Sequence, residues 1–201
     1  MLPDTSSRPT LSKAGATMAV ELIHYKLTAD EYQRMLDTGI LNEDSPVELI
    51  EGELVWMAAH GGQHIRCVTL LAQSLTVAFV GTFYVSTQNS IRLDLRSEPE
   101  PDIAILRSLP EGQTPPPTED VMLVAEVSDS SLMYDLNVKA PLYARAGIPE
   151  YWVVDLTARR VLRHSAPRDG RYKVIEEFAD TDQVVSMTEP SITIAVSDIF
   201  A

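Results

Sequence analysis

The sequence predicts one α/β domain, and three observations carry that expectation. Residues 63–80 repeat apolar side chains at helical spacing: Ile65, Val68, Leu71, Leu75 and Phe79. Residues 121–127 and 151–155 are short, nearly unbroken apolar runs, as expected of strands buried on both faces by helices. After Val161 the pattern turns to short segments separated by turn residues, which reads as antiparallel strands.

In chain order, residues 1–19 are small, polar and unpatterned, and are expected to be a disordered tail ahead of a single domain over 20–201. Tyr25 to Leu27 reads as a short strand. Thr28-Ala29-Asp30-Glu31 has the capping-box form, so a helix should run to about Thr38 and stop at Gly39. Residues 46–57 form a hairpin around Glu51-Gly52-Glu53, with Gly52 at the positive-φ position. The long helix over 63–80 ends at Gly81. Strands follow at 82–86 and 91–95, the latter alternating Ile91, Leu93 and Leu95 with Arg92 and Asp94. Beyond Pro99-Glu100-Pro101 come a strand over 102–106, a Pro-rich loop and the strand over 121–127, on which Met122, Val124 and Glu126 share a face.

A helix then runs from caps among Ser128 to Ser131 to about Ala146. Pro141 has no N–H to donate to residue 137, so the helix must kink or restart there. Gly147 and Pro149 end it. Strands near 151–155, 161–164, 172–178, Val184 and Ile192 complete the chain, and Ser197 is placed to cap a last turn.

Bulk properties narrow the function. The 201 residues are 45 % hydrophobic and 22 % charged, ordinary for a globular protein. No apolar run approaches the ~20 residues that span a bilayer, and residues 1–20 lack the apolar core of a signal peptide. Cys67 is the sole cysteine, so no internal disulfide forms and a reducing, cytoplasmic setting is expected. The net charge of −13 argues against broad nucleic-acid binding, which draws on Lys and Arg to displace phosphate counterions. It leaves room for a local basic patch, with Arg66, Arg92, Arg145 and Lys139 as candidate phosphate contacts, and a metal-binding acid cluster would account for part of the excess.

Two acids stand at strand ends in apolar settings. Asp102 opens a strand directly after Pro101, and Glu126 lies near the end of the 121–127 run. A carboxylate there is costly unless paired, protonated or bound to metal. Lys139 follows thirteen residues later, on a helix that returns antiparallel to the strand. Two such carboxylates suit Mg²⁺ or Mn²⁺ with room for water and a phosphate, the Val127 carbonyl offers a further ligand, and an ammonium offsets developing charge. Each residue has a plainer reading on its own. Asp102 is a common turn residue after Pro, Glu126 a buried acid paired with an arginine, and Lys139 a solvated helix lysine. Their order and spacing, taken with the family resemblance that these residues carry, turn all three toward function.

Pro101-Asp102, Glu126 on the next long strand and then a lysine resemble the PD-(D/E)XK nuclease superfamily. More closely, 27–200 resembles the Uma-type family of restriction-endonuclease-like proteins. The similarity lies in Glu48-Leu49-Ile50-Glu51-Gly52-Glu53-Leu54, His64 opening a helix, Pro101-Asp102, Glu126-Val127-Ser128, Asp135 to Lys139, and the distinctive run from Leu142 through Ile148-Pro149-Glu150-Tyr151 to Trp152. The resemblance implies a core of helix, three strands, helix and strand, here with an N-terminal hairpin and C-terminal antiparallel strands. It implies metal at Asp102 and Glu126, and a metal-dependent endonuclease acting on DNA; the alternative is a catalytically inactive binding or assembly module on the same fold. The broader superfamily carries its lysine two residues after the acid. Here Ser128 stands in that position, and the Uma-type pattern moves the amine to Lys139.

The same comparison makes Glu51 a candidate bordering the site, with Glu48 as the alternative inward-facing acid. His64 can face the metal or simply cap its helix, and Asp135 can orient Lys139. His60 and His64 are four apart, but Gly61-Gly62 disfavours a helix joining them and no Glu follows His60, which excludes a zincin arrangement. No G-x-S-x-G elbow and no phosphate-binding glycine loop is present. Cutting both strands of DNA needs two sites, and the C-terminal strands offer edges, so a homodimer is expected.

Overall fold

The computed structural model describes residues 24–42, 45–57, 59–110, 112 and 115–201. The expected N-terminal tail, 1–19, lies outside the described residues.

Helix α1 (Ala29–Asp37) starts at Thr28, whose side chain and that of Glu31 close the expected capping box. Strands β1 (Val47–Ile50) and β2 (Glu53–Trp56) pair as a hairpin. Its two-residue turn puts Glu51 at φ 50° and Gly52 at φ 81°, the twist that a tight hairpin requires. Helix α2 (Gly62–Phe79) buries the predicted apolar stripe except Ile65, which is exposed.

A six-stranded mixed sheet runs in the order β3-β4-β5-β6-β7-β8, formed by β3 (Tyr84–Thr87), β4 (Ile103–Leu106), β5 (Val121–Ser128), β6 (Glu150–Asp155), β7 (Arg160–Arg168) and β8 (Arg171–Ala179). Only β5 and β6 are parallel. Parallel neighbours need a crossover, and three short helical pieces supply it: α3 (Leu132–Tyr134), a π-helical segment over Asp135–Lys139, and α4 (Ala140–Ala146). The core order is therefore helix, three strands, helix, strand, as expected. Strands β9 (Gln183–Val185) and β10 (Thr193–Ala195) form a separate hairpin before the last turn, α5 (Val196–Ile199).

Two apolar layers explain why the central strands lack alternation. On one face, Leu71, Leu75 and Phe79 of α2 pack on Ile103, Ile105, Leu123 and Trp152. On the other, Leu142 and Tyr143 of α4 pack with Val124, Tyr151 and Val153.

Several expectations need correction. Residues 25–27 form no strand, although the Leu27 N–H donates to the Gly52 carbonyl at 2.9 Å. The 91–95 segment makes only isolated bridges, Arg92 with Pro117 and Asp94 with Ser97, because Asp94 turns the chain by accepting from the Arg96 N–H at 2.7 Å. Ile91 and Leu93 are buried, whereas Leu95 is exposed. Met122 does not share a layer with Val124. The pairing of β4 with β5 slips between Ile105 and Leu106, and Met122 packs against the α2 layer. Ser197 lies inside α5 rather than capping it.

Candidate active site

The register of the sheet brings the two acids together. Ile103 pairs with Ala125, so one residue further out Asp102 stands across from Glu126. Their backbones and side chains interlock: the Asp102 N–H donates to Glu126 Oε2 at 3.3 Å, and the Val127 N–H donates to Asp102 Oδ2 at 2.8 Å. Asp102 is 6 % exposed and Glu126 5 %, so neither charge is solvated by bulk water.

Lys139 reaches them from the opposite element. Pro141 cannot donate to residue 137, and the chain answers with a wider turn in which the Ala140 N–H donates to the Asp135 carbonyl, five residues back. That π turn points Lys139 inward, and Pro141 then sits harmlessly in the first turn of α4. Lys139 Nζ lies 2.9 Å from Glu126 Oε1 and 3.2 Å from Glu48 Oε2. One turn further along, the Tyr143 hydroxyl donates to the same Glu126 oxygen at 2.8 Å. Asp135 is held by the hydroxyls of Ser128 and Ser131, each donating to Oδ2 at 2.7 Å.

Electrostatics follow from burial and crowding. Burial pushes the Glu126 carboxyl up to about 8 against the pull of Lys139, and Asp102, Asp135 and Glu48 add to the rise. For Lys139 burial works against the charge, but Glu126 and Glu48 more than reverse it and hold the amine above its usual range. Glu100 is raised by burial and by Glu48. Two buried carboxyl groups, Glu48 and Glu126, thus share one ammonium, and Asp102 stands beside Glu126 with no ammonium of its own.

These groups line a cavity of about 330 Å³, together with His60, His64, Val127 and Asp135. His64 is buried at the first turn of α2, with Nε2 3.0 Å from Asp102 Oδ2. Glu51 does not join the cluster. It sits on the hairpin turn, 2.5 Å from Arg145 and exposed, and Glu48, named as its alternative, takes the inward position. The arginines expected at phosphates are engaged elsewhere. Arg66 donates to the Ala201 carbonyl, Arg92 pairs with Glu98 and Asp30, and Arg145 pairs with Glu51. Sequence reasoning missed Tyr143 and His60. Tyr143 was findable, because it lies one helical turn after Lys139 and so on the same face. His60 was set aside because no helix joins it to His64. That is correct, since α2 begins at Gly62, yet the two rings still stack with centroids 4.0 Å apart.

A family model described as "Uma2: Putative restriction endonuclease" matches residues 29–197. The chain belongs to the Uma2 family. A solved structure described as a "putative nuclease belonging to DUF820 from Anabaena variabilis ATCC 29413" superposes with a TM-score of 0.69 at 15 % identity, covering 87 % of this chain and 97 % of that one. At that identity the likeness establishes the fold, a restriction-endonuclease-like core. No curated protein matches the sequence. The family match spans the hairpin that carries Glu48, both acid-bearing strands and the helix that carries Lys139, so the whole cavity belongs to the Uma2 region. No helix among the described residues is long and apolar enough to cross a membrane.

Proposed function

We propose that this Uma2 protein is a divalent-metal-dependent endonuclease that hydrolyses DNA phosphodiesters. The observation that carries the reading is the convergence of Lys139 Nζ on Glu126, 2.9 Å away, in a cavity that Asp102 also lines. The donor set fits a hard cation, because buried carboxylates outnumber the ammonium and supply oxygen ligands. Asp102, Glu126 and the Val127 carbonyl would hold Mg²⁺ or Mn²⁺, which supplies charge neutralisation at phosphoryl oxygens and acidifies bound water. The Lys139 ammonium donates a hydrogen bond that orients an attacking water or a phosphate oxygen, and offsets the charge that develops there. Tyr143 fixes the Glu126 carboxylate, His64 fixes that of Asp102, and Asp135 anchors the segment that presents Lys139.

The test is nicking of supercoiled plasmid with Mg²⁺ or Mn²⁺. Asp102→Ala and Lys139→Ala, shown folded by circular dichroism, lose the activity; cleavage persisting in both overturns the site. RNA and other phosphodiesters belong in the same substrate panel.

The second reading is an inactive module that binds or assembles on the same fold. It is favoured by the net charge of −13 and by the pairing of Arg66, Arg92 and Arg145 away from the cavity. Absence of millimolar Mg²⁺ or Mn²⁺ affinity, with no DNA binding at low salt, selects it. In the nuclease reading the protein works in the cytoplasm as a homodimer, each copy one domain over 20–201 that cuts one strand. Sedimentation of the wild-type protein checks the dimer.

A further inference from the structure

The carboxylate pair does not use every ligand-bearing group in the cavity. His60, His64 and Asp102 each offer one donor atom, and the three donors lie within 4.8 Å of one another. His64 is 7 % exposed, and its Nδ1 has no hydrogen-bond partner among the described residues. Its Nε2 stands 3.0 Å from Asp102 Oδ2, so a dication ligated by both atoms would take the place of the proton between them. No hydrogen bond to Nδ1 commits the ring to one tautomer, so Nε2 is free to give up its proton and serve as a ligand.

We propose that His60, His64 and Asp102 form a site for a borderline transition-metal dication of the Zn²⁺ class, beside the oxygen-only pair of Asp102 and Glu126. Imidazole nitrogen suits Zn²⁺, Co²⁺ and Ni²⁺, whereas Mg²⁺ selects oxygen ligands in octahedral geometry. Two nitrogens and one carboxylate oxygen with a fourth position open to the cavity is a familiar donor count for Zn²⁺. Ligands about 2.0–2.1 Å from a tetrahedral ion lie roughly 3.4 Å from each other, so the donors need to draw together by little more than an ångström. His60 has the freedom to do this. It is exposed, it precedes α2, and a Cβ at Gly61 or Gly62 would meet nothing within 4 Å. Unstacking its ring from His64 brings a second nitrogen to the ion. The site extends the nuclease reading through the shared Asp102 but does not need it, because the histidines recognise the metal whether or not DNA is cut.

The experiment is Co²⁺ titration of tag-free, chelator-treated protein, read by visible absorption, followed by displacement with Zn²⁺ in excess Mg²⁺. Nitrogen-ligated, four-coordinate Co²⁺ absorbs strongly, while Co²⁺ among six oxygens is pale. The expected result is one intense Co²⁺ spectrum per chain that Zn²⁺ abolishes and Mg²⁺ does not. His60→Ala, an exposed change, weakens Zn²⁺ binding by about tenfold or more and bleaches the spectrum. Glu126→Gln keeps it, since Glu126 is not a ligand here. A pale Co²⁺ complex in the wild type, an unchanged spectrum in His60→Ala, or its loss in folded Glu126→Gln overturns the proposal. Plasmid nicking is scored separately: absence of cleavage with an intact Co²⁺ spectrum removes the nuclease reading and leaves this site standing.

Discussion

Replacing Lys139 by Met keeps the length of the side chain and deletes its charge, which isolates what the ammonium contributes. Lys139 is 6 % exposed and bridges Glu126 and Glu48, themselves 5 % and 3 % exposed. Its removal leaves two buried carboxylates facing each other with no cation. Breaking a buried ion pair from one side costs about 3–5 kcal/mol, and protonation of a carboxylate limits that cost. The penalty is therefore pH-dependent, and its sign can be worked out. Without Lys139 the folded-state pKa of Glu126 rises further above the unfolded value. A raised carboxyl is fully tolerated below the unfolded pKa and loses stability as pH rises through and above it. Urea unfolding of Lys139→Met should show a loss of about 3 kcal/mol at pH 9, smaller by about 1 kcal/mol at pH 7 and level below that, where Glu126 is already protonated in the wild type. Lys139→Met combined with Glu126→Gln, which leaves one buried charge fewer, should recover part of the pH 9 loss. A loss below about 1 kcal/mol at both pH values, or no recovery in the double variant, would refute the claim that the amine compensates buried carboxylates.

Other outcomes follow from the same geometry. Glu51→Gln should leave plasmid nicking unchanged within about twofold, because Glu51 lies outside the cavity; Glu48→Gln should reduce it strongly, and the reverse pattern would return Glu51 to the site. Burial lowers the pKa of His164, which packs between Tyr151 and Tyr172. A depressed histidine loses stability as pH falls through its unfolded value of about 6.5, so the urea midpoint should drop between pH 8 and 5, and drop less in His164→Phe. Gly52→Ala should cost about 2 kcal/mol or more, since φ is +81° and a Cβ would stand 2.8 Å from Lys26 Cβ; an unchanged melting temperature would contradict the turn.

What the sequence displays well is periodicity and punctuation. The capping box at Thr28, the hairpin at Gly52, the stripe of α2 and the unbroken runs of β5 and β6 are local patterns with local causes, and each appears where the pattern puts it. Features set by tertiary partners were harder to read. The alternation over 91–95 buries Ile91 and Leu93 correctly, but no neighbouring strand runs alongside to make it a strand. The slip at Met122 depends on how β4 meets β5, which no single segment encodes. Within the site, Asp102, Glu126 and Lys139 were legible because each is an anomaly against its own background. His60 and Glu48 were less so, because an exposed loop histidine and one of several hairpin glutamates become distinctive only when folding brings their partners to them.

The displaced lysine illustrates how one local constraint supports another. In the broader nuclease pattern an amine on the strand, two residues after the acid, would rise directly beside the metal. Here Ser128 holds that position, and its hydroxyl donates to Asp135, the first residue of the π segment. The strand therefore no longer supplies the charge but clamps the helix that does. Pro141 forces the wide turn by withholding its N–H, and Ser128 and Ser131 fix where that turn begins through the Asp135 carboxylate. Lys139, between those two constraints, has little choice but to point at Glu126. It follows that Pro141→Ala, by allowing an N–H to donate to residue 137, should relax the π turn toward an α-helix and rotate Lys139 out of the cavity. Stability should fall, because an amine that leaves the cavity strands Glu126 and Glu48 as Lys139→Met does, and nicking should fall with it. Retained cleavage with a relaxed helix would mean that the amine reaches the acids without the wide turn, and that the π segment is incidental to the chemistry.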